Sequence, residues 1–170
     1  NYEKKIYEIL ENIKTKKSLN FIHSGHCGDL IYALPIIKEL AKSHNCNLYI
    51  KSNQIMPVNY YKHPAGNVYI NDRILNLLLP VLKKQSYINL AEKYDMQNID
   101  VDLDLFRKLP INILFNSPRW YFHICGIQVN LSEPYMDVPS HSDLKDKIVV
   151  HRTFRYRNNF INYKFLSKYD

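Results

Sequence analysis

No run of about 18 apolar residues occurs in this chain of 170, so no segment reads as a membrane-spanning helix. The opening residues, NYEKKIYEIL, lack the apolar core of a secretory signal, and the absence of an initiator Met points to a chain that does not start at its natural beginning. Cysteine is sparse. Cys27, Cys46 and Cys125 are odd in number and widely spaced, which excludes a disulfide framework and a zinc-ligand spacing and makes a reducing compartment the default. The four glycines form neither G-x-G-x-x-G nor a P-loop with its lysine, so dinucleotide and Walker-type sites are excluded. Internal repeats and low-complexity tracts are missing as well. What remains is a soluble cytoplasmic protein, with room for a peripheral position on the inner face of a membrane.

The hydrophobic fraction of 46% and charged fraction of 23% are those of a folded globular chain long enough for one sizeable core. A formal charge of +7 points to an anionic partner: a phosphorylated ligand, a nucleic acid or an acidic membrane surface. The 14 tyrosines are scattered, and do not form a stacking platform.

Hydrophobic periodicity gives the organisation. Ile6, Ile9, Leu10 and Ile13 predict an amphipathic helix over 2–14, and SLNFIHSG predicts a buried strand ending at Gly25. From Leu30, apolar residues at 30, 33, 34, 37, 40 and 41 predict a helix, which Pro35 should kink or disturb by removing the bond to the Ile31 carbonyl. NCNLYIKS is a second strand, completing a right-handed βαβ unit. MPVNYYKHPAGN reads as a loop, and DRILNLLLPVLKKQ as a helix capped by Asp72 and bent at Pro80. Ile99, Val101, Leu103 and Leu105 alternate with Asp100, Asp102 and Asp104, the pattern of a strand with one buried face. NSPRWYFHICG predicts a short helix with Ser117 as cap, Pro118 at its first position and Gly126 beyond its end. The expected fold class is α/β, a Rossmann-like parallel sheet flanked by helices over 1–139. Residues 140–170 then form a linker and the first strand, loop and helix of a second α/β domain, too short to bury a core of their own.

Chemistry concentrates in the turn GHCGD, residues 25–29. Ligands of open α/β sheets gather at strand carboxyl ends, near helix N-termini whose free N–H groups point outward. Gly25 and Gly28 permit close approach of a ligand. Asp29 is either a base for a substrate hydroxyl or an ordinary helix cap. His23 and His26 flank it and either bind an acceptor, tune Asp29, or bond to backbone. Cys27, at a helix start, is a site for a lowered thiol pKa but lacks a paired histidine in a nucleophile arrangement. The acid row Asp100, Asp102 and Asp104 reads as the wet face of an edge strand, with Arg107 to neutralise it, and not as a metal site, because no histidine stands at ligand spacing. Trp120 and Tyr121 read as core or domain-interface residues.

The longer stretch SGHCGDLIYALPIIKEL resembles the amino-terminal motif of the heptosyltransferase-like glycosyltransferases, the ADP-heptose:lipopolysaccharide family with the GT-B fold. The match is Gly28, Asp29, Leu34 and Pro35, with the helix continuing through Ile37 and Leu40. The resemblance implies that the proline belongs to the motif and that Asp29 is the general base deprotonating an acceptor sugar hydroxyl. It implies an acceptor subsite around Gly25, His26, Gly28 and His23. A second stretch, KIVVHRTFRYRNNFINYKFL, resembles the start of the nucleotide-binding half of such enzymes, and implies that Arg152, Thr153, Arg155 and Arg157 approach a donor diphosphate. Arginine suits that task through its planar fork.

The expected function is transfer of a sugar from a nucleotide-diphosphate sugar to a saccharide, lipid-linked or protein acceptor, without a metal or other cofactor. Residues 53–71 would decide the acceptor. The chain reads as part of a longer enzyme and as inactive alone. The rivals are a non-catalytic sugar- or nucleotide-binding relative and a basic nucleic-acid-binding module. The short run HRTFRYR, with no paired aromatic sheet motif or recognition helix, argues against the second, so no nucleic-acid partner is expected.

Overall fold

The structure, a computed structural model, describes residues 1–57, 65–108, 117–147 and 161–169. The chain divides into two compact units, Asn1–Asp137 and Val138–Asp170. The first contains α1 (Tyr2–Thr15), β1 (Ser18–His23), α2 (Cys27–Leu40), β2 (Asn45–Ile50), α3 (Asp72–Lys83), β3 (Leu90–Lys93), β4 (Val101–Asp102), a 3-10 turn (Leu103–Lys108) and α4 (Ser117–Cys125). Its four strands form one all-parallel sheet in the order β3-β2-β1-β4. This is an α/β, Rossmann-like core. Among the described residues, no helix is long and apolar enough to cross a membrane.

Strand alternation makes this sheet two-faced. Leu19, Phe21, Leu48, Ile50, Ala91 and Val101 share one face and are buried with Leu30, Leu34 and Ile37 of α2, Leu75 of α3 and Tyr121 of α4. Each wholly buried large side chain of this set contributes about 1.5–3 kcal/mol relative to exposure. On the other face Tyr49 is buried, while Asn20, Ile22, Asn47, Glu92 and Asp102 are only half-buried. There the amides of Asn89, Asn47 and Asn20 donate in series, Asn89 to Asn47 at 2.8 Å, Asn47 to Asn20 at 2.9 Å and Asn20 to the Asn98 carbonyl at 2.8 Å. Polar side chains are tolerated on that face because each finds a partner.

Helix boundaries differ from the sequence expectation in instructive ways. Helix α2 begins at Cys27 and not at Leu30, so Asp29 lies inside its first turn. It then runs unbroken past the buried Pro35. Strand β1 ends at His23, two residues short of Gly25. The cap of α3 is Asn71, whose side chain accepts the Ile74 N–H at 2.9 Å. Asp72 instead pairs with Lys93 at 2.8 Å and accepts from Ser52 and Asn53. Strand β3 has no counterpart in the expectation, because LAEK carries one buried residue, Ala91, and no β-branched run. The long strand expected over the acid row is two residues of strand followed by a 3-10 turn, and Asp100 is buried, not wet. Asp100 is held there by Lys16 and by the Asn20 N–H at 2.9 Å. Gly126 does end α4, with φ 64° and the Ile127 N–H returning to the Phe122 carbonyl at 3.1 Å.

In the second unit, 3-10 turns cover Ser142–Leu144 and Tyr163–Tyr169. The expected helix opening near 160 is therefore a 3-10 turn where described. The strand at 148–150 and the basic loop lie outside the described residues.

Candidate active site at the carboxyl edge of the sheet

From β1 the chain moves outward to β2 and β3 on one side, then returns to β4 on the other. The switch of direction between β1 and β4 is where open α/β sheets leave a crevice at their carboxyl edge. A cleft of about 400 Å³ lies there. Ser24 follows β1 into it, Lys51 follows β2, and Asp102, Asp104, Arg107 and Lys108 come from the end of β4 and its 3-10 turn. Tyr69 closes one wall, from the segment that returns along Gln54 and Met56 through backbone bonds of 3.1 Å. A second depression, about 340 Å³, is built from α4 and residues 126–129 and contains nothing from the carboxyl edge.

Behind the cleft is a hydrogen-bonded chain. His23, wholly buried, accepts the Gly25 N–H on Nδ1 at 2.8 Å and pairs through Nε2 with the Tyr121 hydroxyl at 2.8 Å. Tyr121 in turn donates to the Asp29 carbonyl at 3.1 Å. This network assigns the neutral, Nε2-protonated tautomer. Burial drives the His23 pKa down from 6.5 to about 4, against an opposing pull from Asp104. The contact of Nδ1 with Asp104 Oδ1 at 3.2 Å becomes a hydrogen bond only when the ring is protonated.

Arg107 joins the cleft to the helix mouth. Its Nη1 pairs with Asp104, its guanidinium lies 4.5 Å over the Tyr69 ring and 4.6 Å over Phe106, and its Nη2 is 3.8 Å from Asp29 Oδ2. Phe106 is itself stacked on Trp120, with centroids 5.1 Å apart. Nη2 is buried and has no hydrogen-bond partner among the described residues; Asp104 balances most of the guanidinium charge, and the loose contact with Asp29 adds to it. Gly25 is tightly enclosed by the same groups: a Cβ there would sit 2.5 Å from the His23 ring and 2.7 Å from both Arg107 Nη2 and Asp29 Oδ2.

Asp29 occupies the third position of α2 and accepts the His26 N–H on Oδ2 at 3.0 Å, half of a capping box. Its side chain keeps 25% of its exposure, yet it is not among the described residues lining the cleft. The geometry realises the cap directly. His26 sits with Nδ1 2.9 Å from the Tyr69 carbonyl, to which it donates. Gly28 is exposed, and a Cβ there would meet nothing within 4 Å. The turn therefore brings together His23, Gly25, His26 and Asp29, while Gly28 stands apart. Arg152, Thr153, Arg155 and Arg157 lie outside the described residues.

Two expectations change. Burial raises the Cys27 thiol pKa, overriding the helix start that would have lowered it. The acid row is split by environment: burial and then the charge of Asp104 raise the pKa of Asp102. For Asp104, burial is outweighed by His23, Arg107 and the Ser24 N–H at 3.0 Å, which together hold it below the usual range. Among the described residues, no group of three or more His, Cys, Asp or Glu is placed to hold a metal ion.

Ser24, Lys51, Asp102 and Arg107 were not singled out as a site by sequence. Their signal was positional: Ser24 and Lys51 immediately follow strands, and Asp102 closes one. Compared with family models, curated proteins and solved structures, the chain matches none.

Proposed function

We propose that the first unit is the acceptor-side half of a GT-B glycosyltransferase, moving a sugar from a nucleotide-diphosphate donor to an acceptor hydroxyl held in the carboxyl-edge cleft. One observation carries the reading: a cleft at the β1/β4 switch combines carboxylates able to accept a hydroxyl proton with the cations Lys51, Arg107 and Lys108. The resemblance around Gly28, Asp29, Leu34 and Pro35 supports the same class and gives Asp29 the role of base. In this reading the donor diphosphate belongs to Arg152, Thr153, Arg155 and Arg157, and no metal is required. The acceptor is a saccharide, free or linked to lipid or protein, and a lipid-linked one would place the protein at an anionic membrane surface.

A second reading has a specific observation behind it. Asp29 is engaged as a cap, as it would be in a sugar-binding relative that retains the fold without turnover. The test is a screen of nucleotide-diphosphate sugars against saccharide acceptors, following release of nucleoside diphosphate by the natural polypeptide that carries this chain. Acceptor-dependent release supports transfer. Saturable sugar binding without release supports the second reading, and tight, steeply salt-dependent binding to nucleic acid contradicts both.

A further inference from the structure

The two carboxylates at the end of β4 face the cleft in different states. Asp104 is committed: it pairs with Arg107 and accepts the Ser24 N–H. Asp102 accepts one bond, the Asp104 N–H at 3.1 Å, and among the described residues no cation lies within ion-pair distance of it. It pairs in register with Ile22 across the β1/β4 junction, and both residues line the cleft as well as a neighbouring depression of about 310 Å³ beside α1. A ligand hydroxyl can thus reach Asp102 from the cleft or from the depression beside α1. Asp29, by contrast, has Oδ2 on the His26 N–H, lies beside the Arg107 guanidinium and does not line the cleft.

We propose that Asp102, rather than Asp29, is the carboxylate that exchanges a proton with a hydroxyl bound in the cleft. The proposal rests on the reading of this cleft as the acceptor site. In the transfer step the hydroxyl oxygen forms a bond to the anomeric carbon of the nucleotide-diphosphate sugar. The bond from that carbon to the diphosphate breaks, the diphosphate leaves with its electron pair, and the hydroxyl proton passes to Asp102.

The surroundings favour Asp102 for this work. Lining the same two depressions are Lys5 and Glu8 of α1, Asp100 just before β4, Asp104, Arg107 and Lys108 of the 3-10 turn, and Lys51 after β2. Burial and the negative charge of Asp104 make it a stronger base than an exposed aspartate, and Lys5 and Lys108 only partly oppose them. A base with its pKa moved toward the working pH accepts a proton more effectively. Asp104, kept ionised by Arg107 and the Ser24 N–H, contributes negative charge without taking the proton.

Two measurements test this. A pH titration of aspartate carboxyl carbons by NMR on the chain should find Asp102 ionising above the ordinary 3.8 and Asp104 below it. Asp102 ionising at or below 3.8 overturns the proposal. In the transfer assay, Asp102→Asn should lower kcat by about 10²–10⁴-fold with little change in KM, Asp102→Glu should restore part of the rate with a displaced pH profile, and Asp95→Asn should behave as wild type. Loss of turnover in Asp29→Asn with none in Asp102→Asn overturns the assignment and leaves sugar transfer standing. If wild type transfers no sugar, the underlying reading fails instead, and the carboxyl titration still decides whether Asp102 is the raised group.

Discussion

Replacing Gly25 by alanine should damage this protein far more than the same change three residues later at Gly28. A Cβ at Gly25 would meet the His23 ring at 2.5 Å and Arg107 Nη2 and Asp29 Oδ2 at 2.7 Å, where ordinary contact begins near 3.4 Å. The ring cannot retreat, being wholly buried and held at both nitrogens. Asp29 and Arg107 can move, but only by releasing the His26 N–H and loosening the pair with Asp104. Gly25 is not among the positive-φ residues, so backbone strain adds nothing. Overpacking costs about 1–3 kcal/mol and loss of the cap about 1 more, so destabilisation of roughly 2–4 kcal/mol is expected. At Gly28 a Cβ meets nothing within 4 Å, and alanine in a helix should be neutral or stabilising by up to about 1 kcal/mol. Urea unfolding followed by far-UV circular dichroism and Trp120 fluorescence separates the two, given equal slopes. A Gly25→Ala chain within about 0.5 kcal/mol of wild type, the scatter of ordinary surface changes, would refute the packing argument.

Other consequences follow from the same network. His23 is neutral in the folded protein, with its pKa at about 4, while the unfolded chain takes its proton near 6.5. Stability is therefore fully present above 6.5 and falls by about 3 kcal/mol as pH drops to about 4, a slope that chemical denaturation should find flattened in His23→Gln. Tyr121→Phe leaves the His23 Nε2–H without its acceptor, and denaturant midpoints should report a loss of about 1–3 kcal/mol. Asp29→Ala should cost about 0.5–2 kcal/mol in thermal unfolding through the lost cap, and Asp29→Asn clearly less, because its amide oxygen can still accept the His26 N–H. Cys27 should alkylate at pH 7.5 more slowly than free cysteine, with Cys46 and Cys125, both pushed up to about 12, slower again in mass-spectrometric time courses.

Hydrophobic periodicity located α1, β1, α2, β2, α3 and α4 because each has a face that must be buried. It missed β3, whose pairing is supplied by the edge of β2 and not by its own composition. It overextended β4, since alternation cannot distinguish a strand from a 3-10 turn whose Leu103 and Leu105 are also buried. Asp72 and Asn71 illustrate a finer limit: both can cap, and the choice depends on Lys93, Ser52 and Asn53, which sequence does not place nearby. The site was half legible. The turn at 25–29 announced itself through glycine, histidine and an acid, but Arg107 reaches it from a segment about 80 residues away in sequence, a juxtaposition that only the parallel order β1-β4 creates.

The claim that the carboxyl-edge cleft is the ligand site is tested most directly by amide chemical-shift mapping during titration with a panel of methyl glycosides and nucleoside diphosphates. The account predicts saturable shifts at Ser24, Lys51 and Asp102–Lys108 with the glycosides, abolished or weakened by Arg107→Gln. Saturable shifts confined to Arg119, His123 and residues 126–129, with the carboxyl edge silent, would contradict it.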